Sequence, residues 1–224
     1  MSIPMLIFIV VYMATTIAYL FSETSGNFKR RAINKICLAS MFLIYAIYAT
    51  IRHGNLGVTL QSLCLIGVFF CFVGDVWLLW SFSKGGFSFG LGNVILFAYE
   101  IMYFKEHGLK FSQYWFFIIP LIILIGVQSY LIAHDWYDME KEMKFAFPFY
   151  LLSVSLHGTL SLIGLIYLHD VKSLLLLIGL ILYMISDYFI SLHKFKFKDS
   201  KLILRCNSFS YFTGLMLVAL SFSF

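Results

Sequence analysis

Charged residues are scarce in this chain. Asp, Glu, Lys and Arg make up 12% of its 224 residues, whereas 61% are hydrophobic. The mean hydropathy is +0.90. A soluble domain of this size does not need so much apolar surface, so the composition predicts an all-α polytopic membrane bundle with little extramembrane mass. We expect residues 1–224 to form a single integral membrane domain.

Motifs for metal, cofactor and nucleic-acid binding are also missing. The four cysteines show no Cys-x-x-Cys or zinc-type spacing, and no two histidines are four residues apart. We identify neither a glycine-rich phosphate loop nor a nucleophile elbow. The formal charge of +5 comes without a basic patch interleaved with aromatic residues. The sequence therefore predicts no metal site, no cofactor and no nucleic-acid partner.

Long apolar runs predict about eight membrane-spanning helices. A helix needs roughly 17–25 apolar residues to cross a bilayer. The second run is short and glycines interrupt the fourth, so seven spans plus a re-entrant segment are an alternative. Residues 1–21 lack a basic leader and are expected to remain as the first span. The predicted spans are about 3–21, 36–51, 57–80, 88–104, 114–132, 148–168, 173–192 and 207–223.

Two of these spans carry an aspartate within an apolar run. Asp75 lies in the segment from Gly67 to Trp80, and Asp187 lies in the segment from Gly179 to Leu192. Each Asp follows a glycine by eight residues, four spans apart, which is compatible with two four-helix halves in a 4+4 parallel repeat. Residues four apart lie on the same face of a helix. Gly67, Cys71 and Asp75 have this spacing in the first segment, and Gly179, Tyr183 and Asp187 have it in the second.

The two aspartates are expected at the same depth and near the same membrane surface. A carboxyl group in hydrocarbon costs at least ~2.5 kcal/mol on insertion scales, so it usually faces protein or a wet cavity. An interhelical hydrogen bond in a membrane protein stabilises the fold by only ~0.6 kcal/mol on average. A shared polar site at Asp75 and Asp187 is therefore favoured over a purely structural role, although each acid could also hold helices together.

Two further titratable residues lie within predicted spans. Glu100 is on the fourth span, on one face with Asn93 and Tyr103, and nearer the opposite membrane surface than the two aspartates. His157 is in the middle of the sixth span, on one face with Tyr150, Ser153 and Ser161. Each side chain could form a hydrogen bond to a neighbouring helix, and His157 could also exchange a proton near neutral pH.

The segments Phe72–Leu79 and Gly179–Leu192 resemble the YhhN-like family of eight-span membrane proteins, which includes the lysoplasmalogenases. That family shows a Gly-Asp span, a later Ser-Asp span followed by basic residues, a lysine opening the second span and a tyrosine in the last span. A histidine is common on its fourth span, where this chain has Glu100. The residues that match in order and approximate spacing are Lys35, Asp75, Tyr150, Asp187 and Tyr211.

The resemblance implies hydrolysis of the vinyl ether of a lysoplasmalogen to a fatty aldehyde and a glycerophospho-alcohol. Two carboxyl groups suit that reaction, one to protonate the double bond and one to stabilise the resulting cation and direct water. A proton- or cation-coupled transporter and a non-catalytic lipid-binding protein are alternatives. In the hydrolase interpretation the partner is a membrane lysophospholipid. The residues expected to support its binding are Glu100, His157, Tyr150, Tyr183, Tyr211, Lys35, Lys194, Lys196 and Lys198.

The distribution of basic residues predicts the orientation. Twelve of the sixteen Lys and Arg residues fall in the first, third, fifth and seventh loops. The positive-inside rule places these loops in the cytoplasm and both termini outside. In a chain without its native cysteines, single cysteines at Lys84 and Lys198 should resist a membrane-impermeant maleimide in intact cells. A cysteine at Lys110, in an even loop, should react as the control. Labelling of either odd-loop position from outside would contradict this orientation.

Overall fold

The computed structural model describes residues 2–53, 57–135 and 143–224, and these form helices joined by short connections. This confirms the all-α fold class. A short 3-10 segment, Trp115–Phe117, joins the fifth helix to the sixth. The helices are α1 Ile3–Glu23, α2 Phe28–His53, α3 Val58–Trp77, α4 Phe82–Glu106, α5 Phe111–Tyr114, α6 Ile118–Asp135, α7 Met143–Leu168, α8 Val171–Phe195 and α9 Lys201–Ser221.

Within the described ranges, seven helices are long and apolar enough to cross a membrane: α1 to α4 and α7 to α9. The fifth predicted span is represented by the shorter apolar stretch Trp115–Val127, continuing into α6. The fourth predicted span is one continuous helix through Gly90 and Gly92, so the expected interruption at these glycines is wrong. Gly90 instead receives the Phe149 ring of α7, which a Cβ atom would meet at 2.5 Å.

Several helices extend beyond their predicted bounds on the side of the bundle that carries most of the Lys and Arg residues, which we call the basic side of the protein. Helix α2 begins at Phe28 instead of 36, and α9 begins at Lys201 instead of 207. Lys and Arg are good helix formers, and their long side chains can reach the interface from inside a helix. Lys35 therefore lies in the second turn of a helix and not in a loop. Of the predicted polar loop 134–144, residues 136–142 lie outside the described residues.

The described helices pack in an order that repeats between the two halves of the chain. Helix α2 packs on α3, α3 on α4, α4 on α7, α7 on α8, α8 on α9 and α9 on α2, which closes a ring. Helix α1 packs on α2 and α9, and α6 packs on α7. If α1 to α4 are matched with α6 to α9, each neighbour pair of the first half has its counterpart in the second. This order of contacts is compatible with a 4+4 parallel repeat.

Two pairs of glycines bring helices into backbone contact at matching places. A Cβ atom on Gly92 of α4 would lie 2.9 Å from the carbonyl oxygen of Gly67 of α3. A Cβ atom on Gly179 of α8 would lie 2.8 Å from the carbonyl oxygen of Gly214 of α9. The glycine that opens each Gly-x7-Asp segment therefore meets a glycine of the following helix. The repeated spacing reflects a repeated contact that fixes the height of the aspartate.

Alanine at Gly179 or Gly214 should destabilise the protein by about 1–3 kcal/mol, because the new methyl group meets backbone that cannot move aside. Gly126→Ala on α6 is the control, since nothing lies within 4 Å of a Cβ atom there. The thermal midpoint of the detergent-solubilised protein is the measurement. A Gly179→Ala protein as stable as the Gly126→Ala protein would contradict the close contact.

Candidate functional site

A cavity of about 450 Å³ opens among the helix ends that meet at the basic side of the protein. Helices α1, α2, α4, α7, α8 and α9 contribute to its wall, and so does the connection between α8 and α9. Its volume lies within the range of ~300–1,000 Å³ that small-molecule sites usually occupy. The polar and aromatic lining includes Tyr19, Glu23, Arg31, Lys35, Phe89, Tyr150, Tyr183, Asp187, His193, Lys198, Ser208 and Tyr211.

Asp187 lies in the wall of this cavity, on α8. Its Oδ2 atom accepts a hydrogen bond of 2.7 Å from the hydroxyl of Tyr150 on α7. One turn further along α8, Ser191 donates to the backbone carbonyl of Asp187 at 2.7 Å. The carboxyl group is thus held by a hydroxyl, and among the side chains that the structure describes no Lys, Arg or His nitrogen lies within 4 Å of it.

Asp75 lies behind the cavity wall and is fully buried, with 0% of its side chain exposed. The Nζ atom of Lys35 is 3.7 Å from its Oδ1 atom. Among the described residues, neither carboxylate oxygen has a partner within hydrogen-bonding distance. Lys35, which pairs with Asp75, lines the cavity, and so does Tyr211. Asp187 therefore lies in the cavity wall, whereas Asp75 lies behind it and pairs with one residue of that wall.

Four aromatic rings lie at the inner end of the cavity, between the two aspartates. Tyr183 packs against Tyr211 with a centroid distance of 5.1 Å and against Tyr150 at 6.3 Å. Phe89 of α4 meets all three tyrosines edge-on, at 6.0–6.4 Å. Since these rings come from α4, α7, α8 and α9, they join both halves of the chain. Tyr150, Tyr183 and Tyr211, which the sequence indicated separately, form one cluster.

Glu100 and His157 belong to a separate cluster nearer the opposite membrane surface. Ser161 donates to Glu100 Oε1 at 2.6 Å, and His157 Nε2 is 3.6 Å from Glu100 Oε2. The other ring nitrogen of His157 is 3.1 Å from the Asn93 side-chain oxygen. Neither Glu100 nor His157 is among the described residues that line the cavity. In the described part of the chain, no three His, Cys, Asp or Glu side chains come together as metal ligands do.

The predicted basic stretch after α8 contributes unequally to the cavity. Lys198 lines it, whereas Lys196 is exposed beside the Phe197 ring at 5.9 Å. The side chain of Lys194 lies outside the described residues. Arg31 and His193, which sequence reasoning did not select, supply further basic groups to the wall.

Glu23 is the most important lining residue that sequence reasoning missed. It was assigned to a loop, but it is the last residue of α1. The spacing of Tyr12, Thr16, Tyr19 and Glu23 follows one helix face, and the first three of these residues are buried. This periodicity was the available signal that α1 presents Glu23 to the protein interior.

Gly86, Ser88 and Gly90 do show the Gly-x-Ser-x-Gly spacing of a nucleophile elbow. They lie within the continuous helix α4, where the Ser88 hydroxyl donates to the backbone carbonyl of Phe70 at 2.7 Å. A nucleophile elbow is a sharp turn between a strand and a helix, which this segment is not. Ser88 serves as a contact between α4 and α3.

Residues 30–222 match the model of the YhhN family. The chain belongs to the YhhN family. The matched range contains all five residues on which the resemblance was based, and the structure groups them around one cavity. Comparison with curated proteins and with solved structures gives no match. Tyr19 and Glu23 precede the range that matches the YhhN model.

The energetic coupling between the charges of Lys35 and Asp75 can be measured by substitution. Lys35→Met should lower stability by about 3–5 kcal/mol, because it leaves a buried carboxylate without its counter-charge. The double variant Lys35→Met/Asp75→Asn should recover most of that loss. Thermal midpoints in detergent measure both, with Lys201→Met, at an exposed lysine, as the control. Equal destabilisation of the single and double variants would show that the two charges are not coupled.

Proposed function

We propose that this member of the YhhN family is a membrane-embedded hydrolase that cleaves the vinyl ether bond of lysoplasmalogen lipids. The observation that carries the proposal is the position of Asp187, a carboxyl group in the wall of a cavity whose outer part is basic and whose inner end is aromatic. Such a cavity complements an amphiphile with an anionic headgroup. Family membership supports the same activity.

The dimensions of the cavity suit a lysophospholipid. His193 lies six residues beyond Asp187 on α8, which corresponds to about 9 Å along the helix axis. A phosphate near His193 and Lys198 would leave the glycerol backbone to cover this distance, with the vinyl ether beside Asp187. Gly86 of α4 also lines the cavity and has nothing within 4 Å of a Cβ position, which leaves room for the start of the hydrocarbon chain.

The reaction begins when Asp187 transfers its proton to the second carbon of the alkenyl chain. The double bond becomes an oxocarbenium ion centred on the first carbon. Water then adds to that carbon and returns a proton to the Asp187 carboxylate, so the catalyst is regenerated. The resulting hemiacetal collapses to the fatty aldehyde and the glycerophospho-alcohol. The faces of the neighbouring tyrosine rings stabilise the cation as it forms.

Asp75 acts through its neighbours in this scheme. Its carboxylate is fully buried and paired with Lys35, so it fixes Lys35 at the wall, where the Lys35 Nζ atom lies 6.0 Å from the centroid of the Tyr211 ring. Lys35 then presents a positive charge toward the glycerol and phosphate region. The sequence interpretation gave proton transfer to one aspartate and stabilisation of the cation to the other, with the order left open, and the geometry favours Asp187 as the residue that contacts the substrate.

The transporter alternative receives less support from the same geometry. A carrier needs a path to both membrane surfaces at some stage of its cycle. The described lining residues reach eleven residues into α9, from its start at Lys201 to Phe212, which is about 17 Å. Glu100 and His157, the polar groups on the far side, are not part of this lining. A cavity that ends within the bundle suits a site that receives lipid from one leaflet.

Asp187→Asn should lower the rate of aldehyde release from a lysoplasmenyl lipid by about 10²–10⁴-fold, because the amide cannot donate the proton. Its Oδ atom can still accept the hydrogen bond from Tyr150, so the protein should remain folded. The measurement is aldehyde production by purified protein in mixed micelles.

Asp199→Asn is the matched control, since Asp199 is an exposed acid near the cavity mouth that is not part of the lining. It should retain wild-type turnover. Near wild-type hydrolysis by the Asp187→Asn protein would rule out the proton-donor role. Proton-coupled uptake by reconstituted wild-type protein that releases no aldehyde would favour transport instead.

A further inference from the structure

The carboxylate of Glu23 occupies an unusual position at the mouth of the cavity. It accepts hydrogen bonds from the Tyr19 hydroxyl at 3.0 Å and from the Ser208 hydroxyl at 2.7 Å. Its partners are thus neutral groups. Arg31 and Lys35 act on it electrostatically, but no described basic nitrogen lies within 4 Å. A carboxylate held in place by hydroxyls can accept a further charged donor.

Glu23 is anchored rigidly by the packing of α1 against α9. Next to it, Arg205 of α9 donates to the Thr24 hydroxyl at 2.9 Å. One turn earlier on α1, the Tyr19 ring meets the Phe212 ring edge-on at 5.1 Å. These contacts fix the end of α1 relative to the cavity, so the carboxylate is presented in one orientation. Preorganisation of this kind favours selective binding over general electrostatic attraction.

Basic and acidic side chains occupy separate positions at the mouth of the cavity. The basic groups of the lining are Arg31 and Lys35 from α2, His193 from α8 and Lys198 from the following connection. Apart from Asp187 deeper in, Glu23 is the only acid among the described lining residues. A ligand that complements this distribution carries a phosphate and, a short distance away, an ammonium group. Phosphodiester headgroups ending in an amino alcohol have that arrangement.

We propose that Glu23 is a specificity-determining residue that binds the ammonium group of a zwitterionic lysophospholipid headgroup while the basic residues of the mouth hold its phosphate. The proposal rests on the lipid substrate class of the proposed function. It adds the end of α1, which lies outside the range that matches the family model, to the substrate site.

The test compares two short-chain ester lysolipids by calorimetry in detergent, below their micelle-forming concentrations. Lysophosphatidylethanolamine and lysophosphatidylglycerol share the phosphodiester charge, but only the first has an ammonium group. Wild-type protein should bind the ethanolamine lipid about tenfold more tightly, the strength of one charge-assisted hydrogen bond. Glu23→Gln should remove this preference and leave affinity for the glycerol lipid unchanged. Asp199→Asn, which makes the same charge change outside the cavity, should keep the preference.

Equal affinity of wild-type protein for the two lipids would overturn the proposal, as would an unchanged preference in Glu23→Gln. If Glu23→Gln does not fold, N-acetylated lysophosphatidylethanolamine removes the charge from the ligand instead. Wild-type protein should then bind the acetylated lipid like the glycerol lipid, and full affinity for it would overturn the proposal. Neither ester lipid contains a vinyl ether, so these results are independent of hydrolysis. Absence of aldehyde release with a preserved ethanolamine preference would contradict only the hydrolase.

Discussion

The carboxyl groups within the apolar helices decide how this bundle packs. Each of them must be compensated by protein, because hydrocarbon offers neither water nor counter-ions. Asp75 is compensated by an ammonium group, Asp187 by a tyrosine hydroxyl at the wall of a cavity, and Glu100 by a serine and a nearby histidine. Since the partner of each acid comes from a different helix, these polar contacts determine which helices face one another.

The two halves of the bundle share a scaffold but differ in the chemistry they carry. In each half a glycine pair brings two helices into backbone contact, and an aspartate follows eight residues after the first glycine. In the first half that aspartate is buried against Lys35, and in the second half it reaches the cavity beside Tyr150. A symmetric framework thus provides one carboxyl group that organises the wall and one that can meet a substrate. We infer that this asymmetry is what makes the site suitable for catalysis.

Sequence patterns predicted much of this arrangement, and their limits have physical causes. Apolar run length identified the helices, and four-residue spacing placed Gly67 and Gly179 correctly on the faces that carry the aspartates. The same criterion ended the first span at residue 21, before Glu23, and began the second at residue 36, after Lys35, so both charged residues were placed in a loop. Charged side chains near an interface do not stop a helix, so hydropathy underestimates helix length there. The different exposure of Asp75 and Asp187 depends on packing between the halves, which local spacing does not encode.

If a carboxyl group in the cavity protonates the vinyl ether carbon, the rate of a single turnover should show a solvent isotope effect. Purified protein in excess over a lysoplasmenyl lipid is mixed in H₂O and in D₂O at matched acidity, and the rate of aldehyde formation is followed. Transfer of a proton to carbon in the rate-limiting transition state predicts slower turnover in D₂O, with one deuterium on the second carbon of the aldehyde. Equal rates in the two solvents, or an aldehyde without deuterium at that carbon, would exclude rate-limiting proton transfer from the carboxyl group to carbon.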